Sequence, residues 1–232
     1  MKRSVLAYVA IGIAVLASAP AWATASNNPP PVGAILDLNG QTIPASLTTY
    51  SVNFTAALTS TAITFAFRND PAYINFTAAS VIDATTSSGN LLLNGGFAGG
   101  TNTQNGNSAA PVDWSYANQY GASAGGQVQT CTSASGYCWH DGAVQAYDAI
   151  SQTISTTVGN LYTISFQADG TQAGTFSALS TNGNVSNSGG NGIDILAYAQ
   201  AGLPAANVPE PSGLLILAPG LLGLLALRRS VA

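Results

Sequence analysis

Short stretches of alternating apolar and polar residues occupy the middle of this chain. They cover residues 50–54, 63–67, 150–154 and 162–166, with further candidate strands at 79–83 and 192–198. Alternation with a period of two, carried by β-branched and aromatic residues, is typical of β-strands with one buried face. Glycine and asparagine are frequent between these stretches, and both favour turns. The sequence therefore predicts an all-β fold.

Two parts of the chain echo one another. Residues 50–70 and 150–169 each contain a strand, a turn of small residues, a second strand and a final aspartate. Self-similarity within a chain indicates related structural units. We predict a smaller, partial β unit over residues 32–84, followed by a jelly-roll-like β-sandwich over residues 90–200.

The N-terminal segment has the three-part layout of a secretory signal peptide. Two basic residues precede an apolar run over residues 5–16, and small residues follow up to position 25. Sites of the small-x-small type allow cleavage before Thr24 or before Ser26. An uncleaved anchor helix is the alternative, but the apolar run is short and Pro20 ends it. We predict a signal helix over residues 1–25 and export from the cytoplasm.

The C-terminal segment is almost entirely apolar over residues 213–227 and ends in a basic pair, Arg228 and Arg229. A short motif precedes it: Val208, Pro209, Glu210 and Pro211. A helix over residues 212–227 would be about 24 Å long, against about 30 Å for a bilayer core. The arginines favour leaving this end on the cytoplasmic side. A buried core helix is the alternative, but a core helix would not be apolar on every side. We predict a hydrophobic helix that contacts the membrane.

This tail resembles the PEP-CTERM sorting signal, which has the same motif, apolar segment and arginine pair in the same order. The resemblance covers residues 208–232. It implies a protein of a Gram-negative bacterium that is exported, held in the inner membrane by its tail, and then processed by an exosortase-type enzyme. On this resemblance Pro209, Glu210 and Pro211 are recognised by that enzyme, so the chain is a substrate. The implied address is the cell envelope, the cell surface or an extracellular matrix rich in exopolysaccharide.

Residues 90–97 resemble the opening strand of galactose-binding-like jelly-roll modules, which begin with a similar Asn-Leu and Asn-Gly-x-Phe pattern. In such modules a tryptophan and a strand pair follow, and here Trp114 and the stretches at 150–154 and 162–166 take those places. The acidic residue that usually follows the phenylalanine is Ala98 in this chain. The resemblance therefore implies the fold and does not bring the calcium or sugar site of those modules with it.

The exported body is acidic and contains no lysine. Four of the five basic residues lie in the terminal segments: Lys2, Arg3, Arg228 and Arg229. Between residues 26 and 207 the one basic residue is Arg68, and the acidic residues there are Asp37, Asp70, Asp83, Asp113, Asp141, Asp148, Asp169 and Asp194. The formal charge of this part is therefore −7. Binding to nucleic acid is excluded, because nothing is present to neutralise phosphates.

A single cysteine pair, Cys131 and Cys138, encloses six residues. An oxidising compartment favours a disulfide between them. Free thiols are the first alternative. A metal site with His140 is the second, but it lacks a fourth ligand and the usual spacing of a zinc site. We predict the disulfide and no metal at these residues.

An aromatic-rich stretch lies in loops of glycine, serine and asparagine. Its members are Trp114, Tyr116, Tyr120, Tyr137 and Trp139. Aromatic faces flanked by amides can stack on sugar rings, whose C–H faces are apolar. The alternative is that these residues cover one end of the sandwich. We predict that the stretch as a group forms a ligand site.

A structural Ca²⁺ ion is the one cofactor for which candidate ligands exist. The aspartates expected at strand ends are Asp37, Asp70, Asp83, Asp169 and Asp194. Calcium needs six to eight oxygen ligands, and no Asp-x-Asp-x-Asp run supplies them here.

His140 and Asp141 suggest a general base, but no nucleophile motif accompanies them. We predict no catalytic residues.

The predicted function is that of an exported, non-enzymatic protein of the cell surface or matrix, associated with exopolysaccharide. Its partners would be the processing enzyme, the membrane before processing, and polysaccharide. The first alternative is a structural or adhesive module that binds protein or itself. A secreted hydrolase is the least favoured alternative, because the aspartates show no pattern of paired catalytic carboxylates.

Overall fold

The structure, a computed structural model, describes residues 32–70, 72–99, 110–118, 122, 124–131, 135–144, 146–174 and 192–200. The predicted signal helix, the sorting motif with its hydrophobic helix and arginine pair, and Tyr120 lie outside the described residues. Within the described ranges the chain forms ten β-strands and no helix, so the prediction of an all-β body is confirmed. No helix in this part of the chain is long and apolar enough to cross a membrane.

The strands form two five-stranded antiparallel sheets. In chain order they are β1 (Leu36–Asp37), β2 (Thr48–Thr55), β3 (Ser60–Asp70), β4 (Ile74–Asp83), β5 (Ser115–Ala117), β6 (Gln127–Thr130), β7 (Tyr137–Asp141), β8 (Asp148–Ser155), β9 (Leu161–Asp169) and β10 (Gly192–Gln200). Sheet 1 has the order β1-β10-β3-β8-β5, and sheet 2 has the order β2-β9-β4-β7-β6. The two sheets pack face to face as a β-sandwich around one main core.

Phenylalanine rings fill the centre of the core. Phe76 from β4 lies 4.7 Å from Phe65 and 5.2 Å from Phe67 of β3, measured between ring centroids. Phe166 of β9 lies 5.0 Å from Phe76 on the other side. Alternate residues of a strand point to opposite faces, so Phe65 and Phe67 both face the interior. This packing positions every other side chain described below.

The two segments that the sequence divided into separate units form one sandwich. Strand β2 pairs with β9, β3 pairs with β8 and β10, and β4 pairs with β7 and β9. Every strand of residues 32–84 therefore has a neighbour from the second half of the chain. The division into a partial unit and a later sandwich is corrected, because alternation identifies strands but not their partners.

The echo between residues 50–70 and 150–169 corresponds to two connections that cross between the sheets. One leads from β2 in sheet 2 to β3 in sheet 1, and the other from β8 in sheet 1 to β9 in sheet 2. Because β2 pairs with β9 and β3 with β8, the two connections lie side by side. We call this end of the sandwich the arch end.

Backbone hydrogen bonds join the two connections at the arch end. Ala56 N donates to Asn160 O at 3.0 Å, and Thr156 N donates to Thr59 O at 3.0 Å. The Thr156 hydroxyl donates to Leu58 O at 2.6 Å and lies 2.9 Å from the Thr61 hydroxyl. The two connections are thus joined to each other by uncharged groups.

Residues 90–97 are a loop and not the opening strand that the sequence predicted. The Asn90 side chain accepts hydrogen bonds from Val81 N and Leu92 N, which replaces ladder bonding. Asn94 and Phe97 have positive φ values of 48° and 56°, which a strand does not allow. The buried Phe97 ring instead closes one side of the core, 6.1 Å from Phe76.

Candidate functional site

Carboxyl groups gather at the end of the sandwich opposite the arch end. Asp70 and Asp169 are the last residues of β3 and β9, Asp141 is the last of β7, and Asp148 is the first of β8. Asp194 pairs with Arg68 near the same end of sheet 1. We call this region the carboxylate end.

The aspartates predicted as calcium ligands do not converge on one point. Asp83 lies at the arch end, where it pairs with Tyr162. There its Oδ1 accepts hydrogen bonds from Thr85 N and Thr86 N, and its Oδ2 accepts one from the Asn160 amide. Among the described residues, no group of three or more His, Cys, Asp or Glu side chains could hold a metal ion.

Two carboxyl groups face each other between the sheets. Asp141 comes from β7 in sheet 2, and Asp148 comes from β8 in sheet 1. Both are completely buried. Asp141 Oδ1 accepts hydrogen bonds from Asn69 Nδ2 at 2.7 Å and Ala143 N at 2.9 Å, and its Oδ2 accepts one from Trp139 Nε1 at 3.1 Å. Three N–H donors thus stabilise a negative charge on Asp141.

Asp148 has the opposite environment. Neither of its carboxyl oxygens has a partner in ordinary hydrogen-bond geometry among the described residues. Burial raises its pKa well above the usual value, and the neighbouring Asp141 carboxylate raises it further. The Tyr116 hydroxyl and the Gly126 amide lie close enough to oppose this shift. Of the two carboxyl groups, Asp148 is therefore the one whose surroundings favour the protonated form.

A second buried polar group lies on the outer face of sheet 1. The Tyr147 hydroxyl donates to Asp194 Oδ2 at 2.6 Å, and burial raises the pKa of Asp194 to about 7. Arg68 Nε forms a salt bridge with Asp70 Oδ2 at 2.7 Å. These groups are paired inside the protein, so they do not form an open acidic site.

A row of hydrogen-bonded side chains crosses the outer face of sheet 2. Asn75 on β4 lies between Asp169 on β9 and His140 on β7. Asn75 Nδ2 donates to Asp169 Oδ1 at 2.9 Å, and His140 Nδ1 lies 2.9 Å from Asn75 Oδ1. Because Asn75 Oδ1 can only accept, His140 carries its proton on Nδ1. Burial lowers the pKa of His140, so the imidazole is neutral at pH 7.

Tyr73 lies on top of this row with its ring exposed. The residue is 62% exposed, and its ring stacks on His140 with 4.8 Å between centroids and 12° between planes. The ring also lies over Gly142, where an added Cβ would come within 2.4 Å of Tyr73 Cε1. One face of the Tyr73 ring is thus fixed against the protein. We call Tyr73 and His140 together the ring platform.

The aromatic residues predicted as a ligand site occupy different places. Trp114 is 5% exposed and Trp139 is fully buried, so both are core residues and the prediction is corrected for them. Their indole N–H groups donate inside the protein, to Asn94 O and to Asp141. That internal pairing permits burial of the polar indole nitrogens. These two described members of the predicted stretch therefore offer no open aromatic surface.

The two described tyrosines of that stretch also lie apart. The half-buried Tyr116 packs against Trp139, with 6.0 Å between ring centroids. Tyr137, at the start of β7, is 38% exposed. Tyr73 was not among the site residues predicted from the sequence. The sequence held one indication of its position, the alternation of residues along β4. Tyr73 and Asn75 alternate with the core residues Ile74 and Phe76, so they share the outer face of sheet 2.

The predicted disulfide is confirmed. Cys131 and Cys138 are linked, with 5.2 Å between their Cα atoms, and Cys131 N donates to Gly136 O at 3.0 Å. The link closes the hairpin between β6 and β7. His140 and Asp141 follow on β7 and point to opposite faces of sheet 2, so they cannot act together as an acid–base pair.

Comparison with known proteins gives no relative from which to transfer a function. No protein-family model matches the chain, and neither a curated protein nor a solved structure matches it. What the site can do follows from its geometry. A fixed aromatic ring offers a stacking surface, and the adjacent amides and hydroxyls offer hydrogen bonds.

Proposed function

We propose that this protein is an exported, non-enzymatic component of the cell surface or extracellular matrix that associates with neutral polysaccharide. In this proposal an exosortase-type enzyme processes the PEP-CTERM-like tail, and the membrane holds the chain only before processing. The observation that carries the proposal is the outer face of sheet 2, a broad surface of neutral hydrogen-bonding groups.

Hydroxyl and amide side chains cover that face across three neighbouring strands. They are Thr49, Ser51, Asn53, Ser80, Thr163, Ser165 and Gln167. Several bond to each other: Thr163 Oγ1 donates to Asn53 Oδ1 at 2.9 Å, and the Ser80 and Ser165 hydroxyls are 2.7 Å apart. A flat, pre-ordered array of this kind suits the many hydroxyls of a polysaccharide.

The charge of the body supports a neutral partner. Among the described strands of this face, Asp169 is the one charged side chain, and no lysine or arginine is present. The body as a whole has one arginine against eight aspartates. Acidic polysaccharides would be repelled by such a body, because no surface cation compensates their charge.

The chemistry of the buried carboxyls supports a non-enzymatic role. General acids and bases must reach a substrate proton, directly or through one water. Asp141 and Asp148 are enclosed between the sheets, and Asp194 is bonded to Tyr147. Their raised pKa values are explained by burial and pairing.

The disulfide supports the exported address, since such links persist in oxidising compartments. Intact-mass analysis of the mature protein from its host tests the sorting part of the proposal. We expect a chain that begins at Thr24 or Ser26, ends near Val208, and has Cys131 linked to Cys138. A mature chain that still carries Arg228 and Arg229 would contradict processing of the tail.

Retention on polysaccharide tests the binding part. The full chain, in mild detergent, is passed over immobilised neutral galactomannan or glucan and over polygalacturonate as the acidic counterpart. We expect retention on at least one neutral polymer and none on the acidic one. Retention on polygalacturonate alone would contradict the charge argument.

A second candidate function, adhesion through self-association, is favoured by strand β2. Among the described strands, β2 is an edge of sheet 2, and its eight residues include no charge and no proline. Such an edge is a template for pairing with another strand. Light scattering of the wild-type chain and Ser51→Lys separates the candidates. A dimer that the lysine dissociates supports adhesion, and a wild-type monomer excludes this route.

A further inference from the structure

The ring platform is the one described place where an aromatic ring on the outer face of a sheet is both exposed and held in position. The other exposed tyrosine among the described residues, Tyr137, stacks on no described ring. Tyr73 is held by His140 beneath it, and His140 is oriented by Asn75, which is itself bonded to Asp169. A ring that is already ordered loses little entropy when a ligand stacks on it.

Gly142 is the second support of the platform. An added Cβ there would overlap the Tyr73 ring, with contacts of 2.4 Å to Cε1 and 2.7 Å to Cδ1. The absence of a side chain therefore allows the ring to lie flat over the backbone just after β7. A ring that only filled a gap in the surface would not need both a stacked partner and a glycine beneath it.

The surroundings of the platform determine which ligand fits. His140 is neutral, because burial lowers its pKa. Gln127 on β6 lies directly opposite His140 and contributes a half-buried amide. The platform thus combines an apolar ring face with neutral donors and acceptors. It has no cation for a phosphate, a sulfate or a carboxylate.

We propose that the ring platform is a sugar-binding subsite that stacks one neutral pyranose ring of a polysaccharide on the exposed face of Tyr73. The axial C–H groups of the sugar contact the tyrosine ring, and its hydroxyls bond to the amides and hydroxyls of the surrounding face. Further sugar units extend over the hydroxyl array of sheet 2. This inference rests on the proposed function and specifies the residue that carries it.

Affinity electrophoresis of the full chain through gels containing galactomannan or hydroxyethyl cellulose tests the subsite. We expect Tyr73→Ala to weaken retardation about 10- to 100-fold in apparent affinity, as for loss of a central aromatic contact. Tyr73→Phe keeps the ring and should stay within about threefold of wild type. Tyr137→Ala is the matched control, an exposed tyrosine outside the platform, and should leave affinity unchanged.

Gly142→Ala gives a second test, because it displaces the ring without changing its chemistry. We expect a loss of affinity comparable to that of Tyr73→Ala, with an unchanged far-ultraviolet circular dichroism spectrum. If wild type is retarded and Tyr73→Ala is retarded equally, the subsite is wrong while the proposed function stands. If wild type is retarded by no neutral polymer, the proposed function fails and the subsite fails with it.

Discussion

The two ends of the sandwich are built from the same strands but held by different chemistry. At the arch end, backbone amides and threonine hydroxyls join the two crossing connections. The aspartate there, Asp83, accepts N–H hydrogen bonds, and the Asn160 amide is the main cause of its lowered pKa. At the carboxylate end, burial raises the pKa of Asp141, Asp148 and Asp194. Between pH 5 and pH 8, a change of pH should therefore act on the carboxylate end, while Asp83, with its lowered pKa, stays ionised.

Removing Asp141 should produce the largest loss of stability. Asp141→Ala leaves the buried Asn69, Ala143 and Trp139 N–H groups without their acceptor. We expect a loss of about 3–5 kcal/mol in the free energy of unfolding. Urea unfolding followed by tryptophan fluorescence measures it. Asp148→Asn is the matched control and should cost much less, because an amide replaces a carboxyl group whose raised pKa favours the neutral form.

The second prediction concerns pH. A carboxyl whose pKa rises on folding binds more protons in the folded state between pH 3.8, its usual value, and the raised pKa. Its contribution to stability is therefore complete below pH 3.8 and is lost as the pH rises through the folded pKa. For Asp141 that value is about 6, and for Asp194 it is about 7. Stability should fall from pH 5 to pH 8.

The slope should reach about 1.4 kcal/mol per pH unit for each extra proton bound. His140 has the opposite effect on stability below pH 6.5, because its lowered pKa means that the unfolded chain binds a proton there more readily than the folded one. This effect cancels the contribution of one extra carboxyl proton and no more. Urea unfolding at pH 5 and pH 8 measures the difference. Asp148→Asn should reduce the slope. Stability that increases toward pH 8 would show that the buried carboxyls are not protonated.

The third prediction concerns the arch end and has the smallest effect. Thr156→Val removes the hydrogen bonds to Leu58 O and to the Thr61 hydroxyl. We expect a loss of about 1–2 kcal/mol that is equal at pH 5 and pH 8, since no titrating group takes part. The exposed neighbour Thr157→Val is the control and should change little. A pH-dependent loss for Thr156→Val would mean that the two ends are coupled.

The sequence was informative about strands and poor about their partners. Alternation located β2, β3, β8 and β9, and the cysteine spacing indicated the disulfide. The same alternation fits a hairpin and a connection that crosses between sheets equally well. Whether β2 pairs with β3 or with β9 depends on long-range packing around Phe76, which no local pattern records.

The candidate site was missed for a related reason. The sequence showed aromatic residues but not which side of a sheet they occupy. Trp139 and His140 are neighbours in the chain, yet Trp139 points into the core and His140 points outward. Tyr73 becomes a platform only because β4 pairs with β7, which brings His140 and Gly142 beneath its ring.

The ring platform lies at the carboxylate end, where Asn75 pairs with His140 and Asp169. Hydrogen exchange measured by mass spectrometry, with and without a soluble neutral oligosaccharide, tests most directly whether the sugar binds at this end. We expect slower exchange on binding in peptides that cover residues 72–77 and 137–142. Peptides that cover the arch end, residues 56–60 and 156–161, should exchange at the same rate in both samples. Protection confined to the arch end, with none around Tyr73 and His140, would contradict binding at the carboxylate end.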